Sequence, residues 1–115
     1  MQRKMPLATP GDILLHDFLE PMGITQFRLA KEIGVPQRRI SEIVAGHRSI
    51  TADTALRLGA FFGSDAQSWL NLQDHFDTET ARESMEETLS RIRRWDALAA
   101  LVRQGRYPTA STVTG

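Results

Sequence analysis

Apolar residues recur along this chain every three or four positions, and no stretch alternates apolar and polar as a half-buried strand would. The pattern predicts a succession of helices. The first carries Ile13, Leu14, Phe18 and Leu19, opens at Pro10-Gly11 and ends at Pro21-Met22-Gly23. The second carries Phe27, Leu29, Ala30 and Ile33 and stops at Gly34. Thr25 suits its N-cap, because the hydroxyl accepts from a backbone N–H that has no partner within the helix. Only Gly34-Val35 precedes a third helix, with Pro36 suited to its first position, Ile40, Ile43 and Val44 as its stripe, and Gly46 at its end. Thr51 caps a fourth, with Asp53 in its positive first turn, Leu56, Leu58, Ala60, Phe61 and Phe62 along it, and Gly63 as the stop. Ser64-Asp65-Ala66-Gln67 reads as a capping box for a fifth helix holding Trp69, Leu70, Leu72 and Phe76.

Beyond Phe76 the pattern changes. Residues 77–104 contain no Gly or Pro and are dense in charge, and Met85, Leu89, Ile92, Trp95, Ala99 and Val102 recur at helical spacing. This predicts a long C-terminal helix with one apolar stripe, free to fold back in cis or to meet a dimer partner or another protein. Trp95 is the residue expected at the centre of such a contact. The small, polar residues 105–115 predict a disordered tail, and residues 1–9 a flexible start. The expected domain is thus residues 10–76, and the fold class is all-α: five short helices around one core, then the long helix.

Composition narrows the chemistry. With 115 residues, 41% hydrophobic and 24% charged, the chain is long enough for one core but not comfortably for two. The absence of cysteine excludes disulfides, thiolate-held metals and cysteine nucleophiles, and fits a reducing cytoplasm. No apolar run approaches a membrane span, and the basic start Met1-Gln2-Arg3-Lys4 has no apolar stretch behind it. A cytoplasmic protein is expected. His16, His47 and His75 lack ligand neighbours at metal spacing, and no triad or phosphate loop is recognisable. The expectation is a protein without enzymatic activity, metal or cofactor.

Charge adds one positive feature. The chain is neutral, with 14 basic and 14 acidic side chains, yet residues 25–50 carry five basic groups against two acidic ones. That local field suits phosphate. It coincides with two short helices joined by a tight glycine turn, the pattern of a helix-turn-helix. On a wheel of about 100° per residue, Gln37, Arg38, Ser41, Glu42 and Ala45 of the third helix lie opposite its apolar stripe. Recognition helices present their first turns to base edges. Arg38 suits guanine O6 and N7, Gln37 suits adenine N6 and N7, and Ser41 lies one turn on. Glu42 suits a cytosine amino group, or an i,i+4 pair with Arg38. Arg39 on the flank, Thr25 and Gln26 at the start of the second helix, and His47 and Arg48 after the third are expected at phosphates. The bland alternatives are a solvated helix face for the first group and local caps or surface arginines for the second. Trp69 is expected in the core.

Residues 24–63, ITQFRLAKEIGVPQRRISEIVAGHRSITADTALRLGAFFG, resemble the lambda-repressor-like (XRE) helix-turn-helix domain. Together with PGDILLHDFLEPMGIT at 10–25 and SWLNLQDHFD at 68–77, they resemble the HigA family of antitoxins over residues 9–83. The resemblance implies a five-helix DNA-binding domain, usually dimeric, that represses its own operon on double-stranded operator DNA and neutralises a HigB-type toxin, a ribosome-dependent mRNA endonuclease. Two alternatives stay open: a stand-alone repressor of the same fold, and a helical interaction module.

Overall fold

The computed structural model describes residues 7–106, which divide between Ala81 and Arg82 into two compact units. No strand occurs among the described residues. The expected flexible residues 1–6 and tail residues 107–115 lie outside them.

The first helical segment, α1, is α-helical over Pro10–Ile13, π-helical over Leu14–Leu19 and α-helical again over Glu20–Met22. A capping box opens it: Thr9 accepts from the Asp12 N–H at 3.0 Å while Asp12 accepts from the Thr9 N–H at 3.1 Å. Thr9, expected in the flexible start, is therefore an ordered cap. Pro21 does not stop the helix. It follows the widened π turns directly, where a missing N–H and a bulky ring are easier to accommodate than in a regular α turn. Gly23, at φ 67°, ends the segment.

Helix α2 spans Gln26–Ile33, and α3 spans Gln37–Val44. Thr25 caps α2 as expected, accepting from the Arg28 N–H at 3.0 Å. Gly34 turns the chain with φ 73°, a left-handed conformation that only glycine adopts at little cost. Pro36 occupies the N-cap of α3, one residue earlier than expected. Helix α4 spans Ala52–Phe62; Thr51 sits at its N-cap, but its hydroxyl makes no cap bond. Helix α5 spans Ala66–Ser84. Its cap is Asp65, which accepts from the Gln67 N–H at 3.1 Å, and not the expected Ser64, whose hydroxyl accepts from the Trp69 indole at 3.2 Å.

The core of the first unit draws on all five segments: Leu14 and Leu19; Leu29, Ala30 and Ile33; Ile40 and Ile43; Ala55 and Leu58; and Trp69. Val35 and Ile50 join it from the connections. Each buried valine, leucine or isoleucine side chain contributes roughly 1.5–3 kcal/mol, and each alanine less. Phe18, Phe62 and Trp69 form an aromatic cluster, with the Phe18 ring 5.0 Å from Phe62 and 4.8 Å from Trp69. Trp69 is a core residue, as expected. Gln73, also buried, accepts from the Ile50 N–H at 2.8 Å and so fixes the chain between α3 and α4.

The second half differs from the expected continuous helix over 77–104. Helix α5 runs on through Phe76 to Ser84, and the remainder forms two short helices, α6 over Glu86–Ser90 and α7 over Trp95–Arg103. The break at Met85 (φ −109°, ψ 12°) gives Glu86 and Glu87 a helix N-terminus, which favours negative charge. Arg94 then caps α7 in an extended conformation, and Asp96 accepts from the Ala97 N–H at 2.8 Å and from Arg94 at 3.0 Å. Such local carboxylate bonds compete with a continuous helix.

Candidate nucleic-acid interface

Ile40 and Ile43 fix the rotation of α3 about its axis. Both are buried, so Gln37, Arg38, Ser41 and Ala45 face solvent. The Arg38 side chain is 85% exposed, although its Nε is paired with Glu42. The Ser41 hydroxyl donates to the Gln37 carbonyl at 2.9 Å, keeping its lone pairs for a donor beyond the helix. Glu42 is less exposed and accepts from Arg38 at 3.0 Å and from Arg48 at 2.9 Å. These bonds, from Arg48 first and Arg38 second, hold the Glu42 carboxyl below the usual carboxylate range. Its contribution is therefore complete above that range and fades only as pH falls through the lowered value.

The expected phosphate-facing residues fall into distinct settings. Thr25 and Gln26 stand at the start of α2, Thr25 exposed with its hydroxyl engaged in the cap and Gln26 half-buried. His47 and Arg48 are exposed in the loop after α3, whose path is held by the His47 N–H donating to the Glu42 carbonyl at 2.8 Å. Arg39 is more enclosed and donates to Asp53 of α4 at 2.9 Å.

Asp53 and Arg57 are residues whose part in this site the sequence reading missed. Asp53 also accepts from Arg57 at 2.8 Å, and Arg57 reaches back to donate to the Ile33 carbonyl at 2.6 Å. The C-terminus of α2, the flank of α3 and the first turns of α4 are thereby joined by one chain of charged hydrogen bonds. Arg57 foremost, then Arg39, lowers the Asp53 carboxyl below its ordinary range. The i,i+4 spacing of Asp53 and Arg57 was a usable signal for their pair; the reach to Ile33, 24 residues away, was not.

Arg57→Met should test that tie. The substitution keeps an apolar stem and removes every donor. Charge-assisted bonds are stronger than neutral ones, but Arg57 is 41% exposed, so screening limits the loss to about 1 kcal/mol. A urea titration should show the midpoint falling with the slope unchanged. An unaltered midpoint would mean that water replaces these bonds without cost.

In the second unit the stripe residues do not share one helix. Leu89 lies on α6, Ile92 in the connection, and Trp95, Ala99 and Val102 on α7. Trp95 is 76% exposed and Ile92 64%, whereas Ala99 is half-buried. The described residues contain no cluster of His, Asp or Glu able to hold a metal ion, and no helix long and apolar enough to cross a membrane.

Against known proteins, a helix-turn-helix family model matches residues 15–69. Virulence-associated protein I of Dichelobacter nodosus is 48% identical over 85 residues, covering 74% of this chain and 79% of that protein. Antitoxin HigA-1 of Vibrio cholerae serotype O1 is 38% identical over 85 residues, with the same coverage of 74% and 79%. Among solved structures, the Pseudomonas aeruginosa antitoxin HigA with the higBA promoter superposes with a TM-score of 0.74 at 34% identity, covering 76% of this chain and 97% of that one.

Proposed function

The chain belongs to the HigA family of helix-turn-helix antitoxins, and from that premise we propose that it binds its own operator, represses its operon and neutralises a HigB-type toxin. The observation that carries the DNA-binding part is the outward face of α3, with Gln37, Arg38 and Ser41 presented on its first turns and the core side chains turned inward. On this reading α3 enters the major groove with Arg38 and Gln37 at base edges. Thr25, Gln26, His47 and Arg48 lie at phosphates, as does Arg39 through whatever charge Asp53 leaves it. The protein acts as a symmetric dimer in the cytoplasm, its half-sites on the order of one DNA turn apart or a multiple of that. The similarity to the Pseudomonas aeruginosa HigA solved with the higBA promoter supports the DNA-binding part.

A salt titration tests the reading. Binding to a duplex from the protein's own upstream DNA should be nanomolar, exceed that to a scrambled duplex by more than ~10³, and weaken steeply with salt. Equal weak binding to both duplexes would defeat it.

Leu89, Ile92, Trp95, Ala99 and Val102 supply the protein contact, with toxin or second subunit. Leu89, Ile92, Trp95 and Val102 are exposed apolar side chains, which suits such a surface. Trp95→Ala should weaken dimer or toxin association by about 2 kcal/mol, read by sedimentation and by titration with the toxin. No change in either would remove these residues from the contact.

A further inference from the structure

Glu42 occupies an unusual place for a base reader. One oxygen, Oε2, accepts from Arg38 Nε at 3.0 Å. The other, Oε1, accepts from Arg48 Nε at 2.9 Å and lies 2.8 Å from Arg48 Nη2. Both oxygens are thus engaged by arginines, one from the first turn of α3 and one from the loop that follows it. The Glu42 side chain is also the most enclosed of the three, 27% exposed against 85% for Arg38 and 48% for Arg48. A carboxylate pointed at DNA without these partners would meet the phosphates' negative charge.

The geometry of the Arg38 bond matters. Nε is the inner nitrogen of the guanidinium, so a carboxylate holding it leaves the two terminal nitrogens uncommitted by that bond. Those two nitrogens form the edge that can meet guanine O6 and N7 together. The Arg48 bond has a different consequence. It sets a negative charge against a cation that would otherwise attract any phosphate equally, whatever the sequence.

Building on the operator-binding reading, we propose that Glu42 is a positioning residue and not a base contact: it aims Arg38 at a guanine and restrains Arg38 and Arg48 from sequence-independent binding. It would raise specificity from both sides, by improving the operator complex and by weakening all others. The acidic residue in a DNA-facing helix then needs no base of its own.

Full-length wild-type protein and Glu42→Gln are compared on the upstream and scrambled duplexes over a range of salt, with thermal melts alongside. Glu42→Gln keeps the side chain's length and removes its charge. It should bind the scrambled duplex at least about threefold more tightly, steepen the salt slope by roughly one unit, and lower the ratio of operator to scrambled binding on the order of tenfold. A merely structural role moves none of these and appears only as a lower melting temperature, which would overturn the proposal. Loss of operator affinity with scrambled binding unchanged would also overturn it, because Arg38 and Arg48 would then be under no restraint from Glu42. Equal binding of the wild-type protein to both duplexes would instead defeat the operator reading itself.

Discussion

Gly11→Ala should lower the melting temperature by more than about 10 °C, although alanine is the better helix former. Gly11 is buried in the first turn of α1. A Cβ built there would lie 1.9 Å from the Ile43 carbonyl oxygen, 2.7 Å from its carbon and 2.9 Å from the Val44 Cα. All three atoms are backbone atoms of α3, so no side chain can rotate out of the way. One helix must move off the other, and Ile43 is itself in the core. Overpacking against mobile side chains costs about 1–3 kcal/mol, and a backbone clash belongs at or above the top of that range. For a domain near 100 residues each kcal/mol shifts the melting point by roughly 4–8 °C. Helix propensity taken alone predicts the opposite sign, since alanine gains roughly 0.5–1 kcal/mol over glycine within a helix. Thermal melts followed by circular dichroism therefore decide the matter by direction. An unchanged or raised melting temperature would mean that α1 does not brace α3 so closely.

That close approach could not be read from the chain. Pro10-Gly11 marks a helix start in sequence, and the same residues mark a helix crossing only once α3 lies against them. What the sequence does specify is local. Thr25 as a cap, Gly34 as a left-handed turn and the Ile40/Ile43 stripe are each set by near neighbours, and they suffice to define the helix-turn-helix and its outward face. Helix α4 marks where the pattern loses power. Leu56 lies on the side opposite Leu58 and Phe61; Leu58 is buried while Leu56 is 64% exposed. A helix apolar on several sides does not announce which side is covered.

Ionic partners divide in the same way. The Arg38–Glu42 pair follows from i,i+4 spacing, whereas Arg48 on the same carboxylate and Arg39 on Asp53 depend on how a loop and two helices meet. Beyond Ser84 the regular spacing of Met85, Leu89, Ile92, Trp95, Ala99 and Val102 suggests a single helix. The acidic first turn at Glu86 and the Asp96 bond to its own following backbone outweigh that periodicity.

Arg38→Ala is the substitution expected to cost most in recognition while leaving the fold intact. The side chain is 85% exposed and supports no part of the core, so melting temperature should scarcely change. A bidentate arginine–guanine pair is worth about 1–3 kcal/mol of discrimination, so operator affinity should fall roughly 5- to 150-fold for each half-site in which the pair is removed. The effect should be confined to one base position per half-site, where the variant tolerates substitutions that the wild-type protein rejects. This separates base reading from charge. A guanidinium serving only phosphates would, when removed, weaken operator and scrambled duplexes alike and flatten the salt slope by about one unit. A panel of operators substituted at single positions, each titrated with wild-type and variant protein, distinguishes the two. If affinity and selectivity both survive Arg38→Ala, then α3 does not enter the groove by its first turns, and the outward face defined by Ile40 and Ile43 meets DNA in some other orientation or not at all.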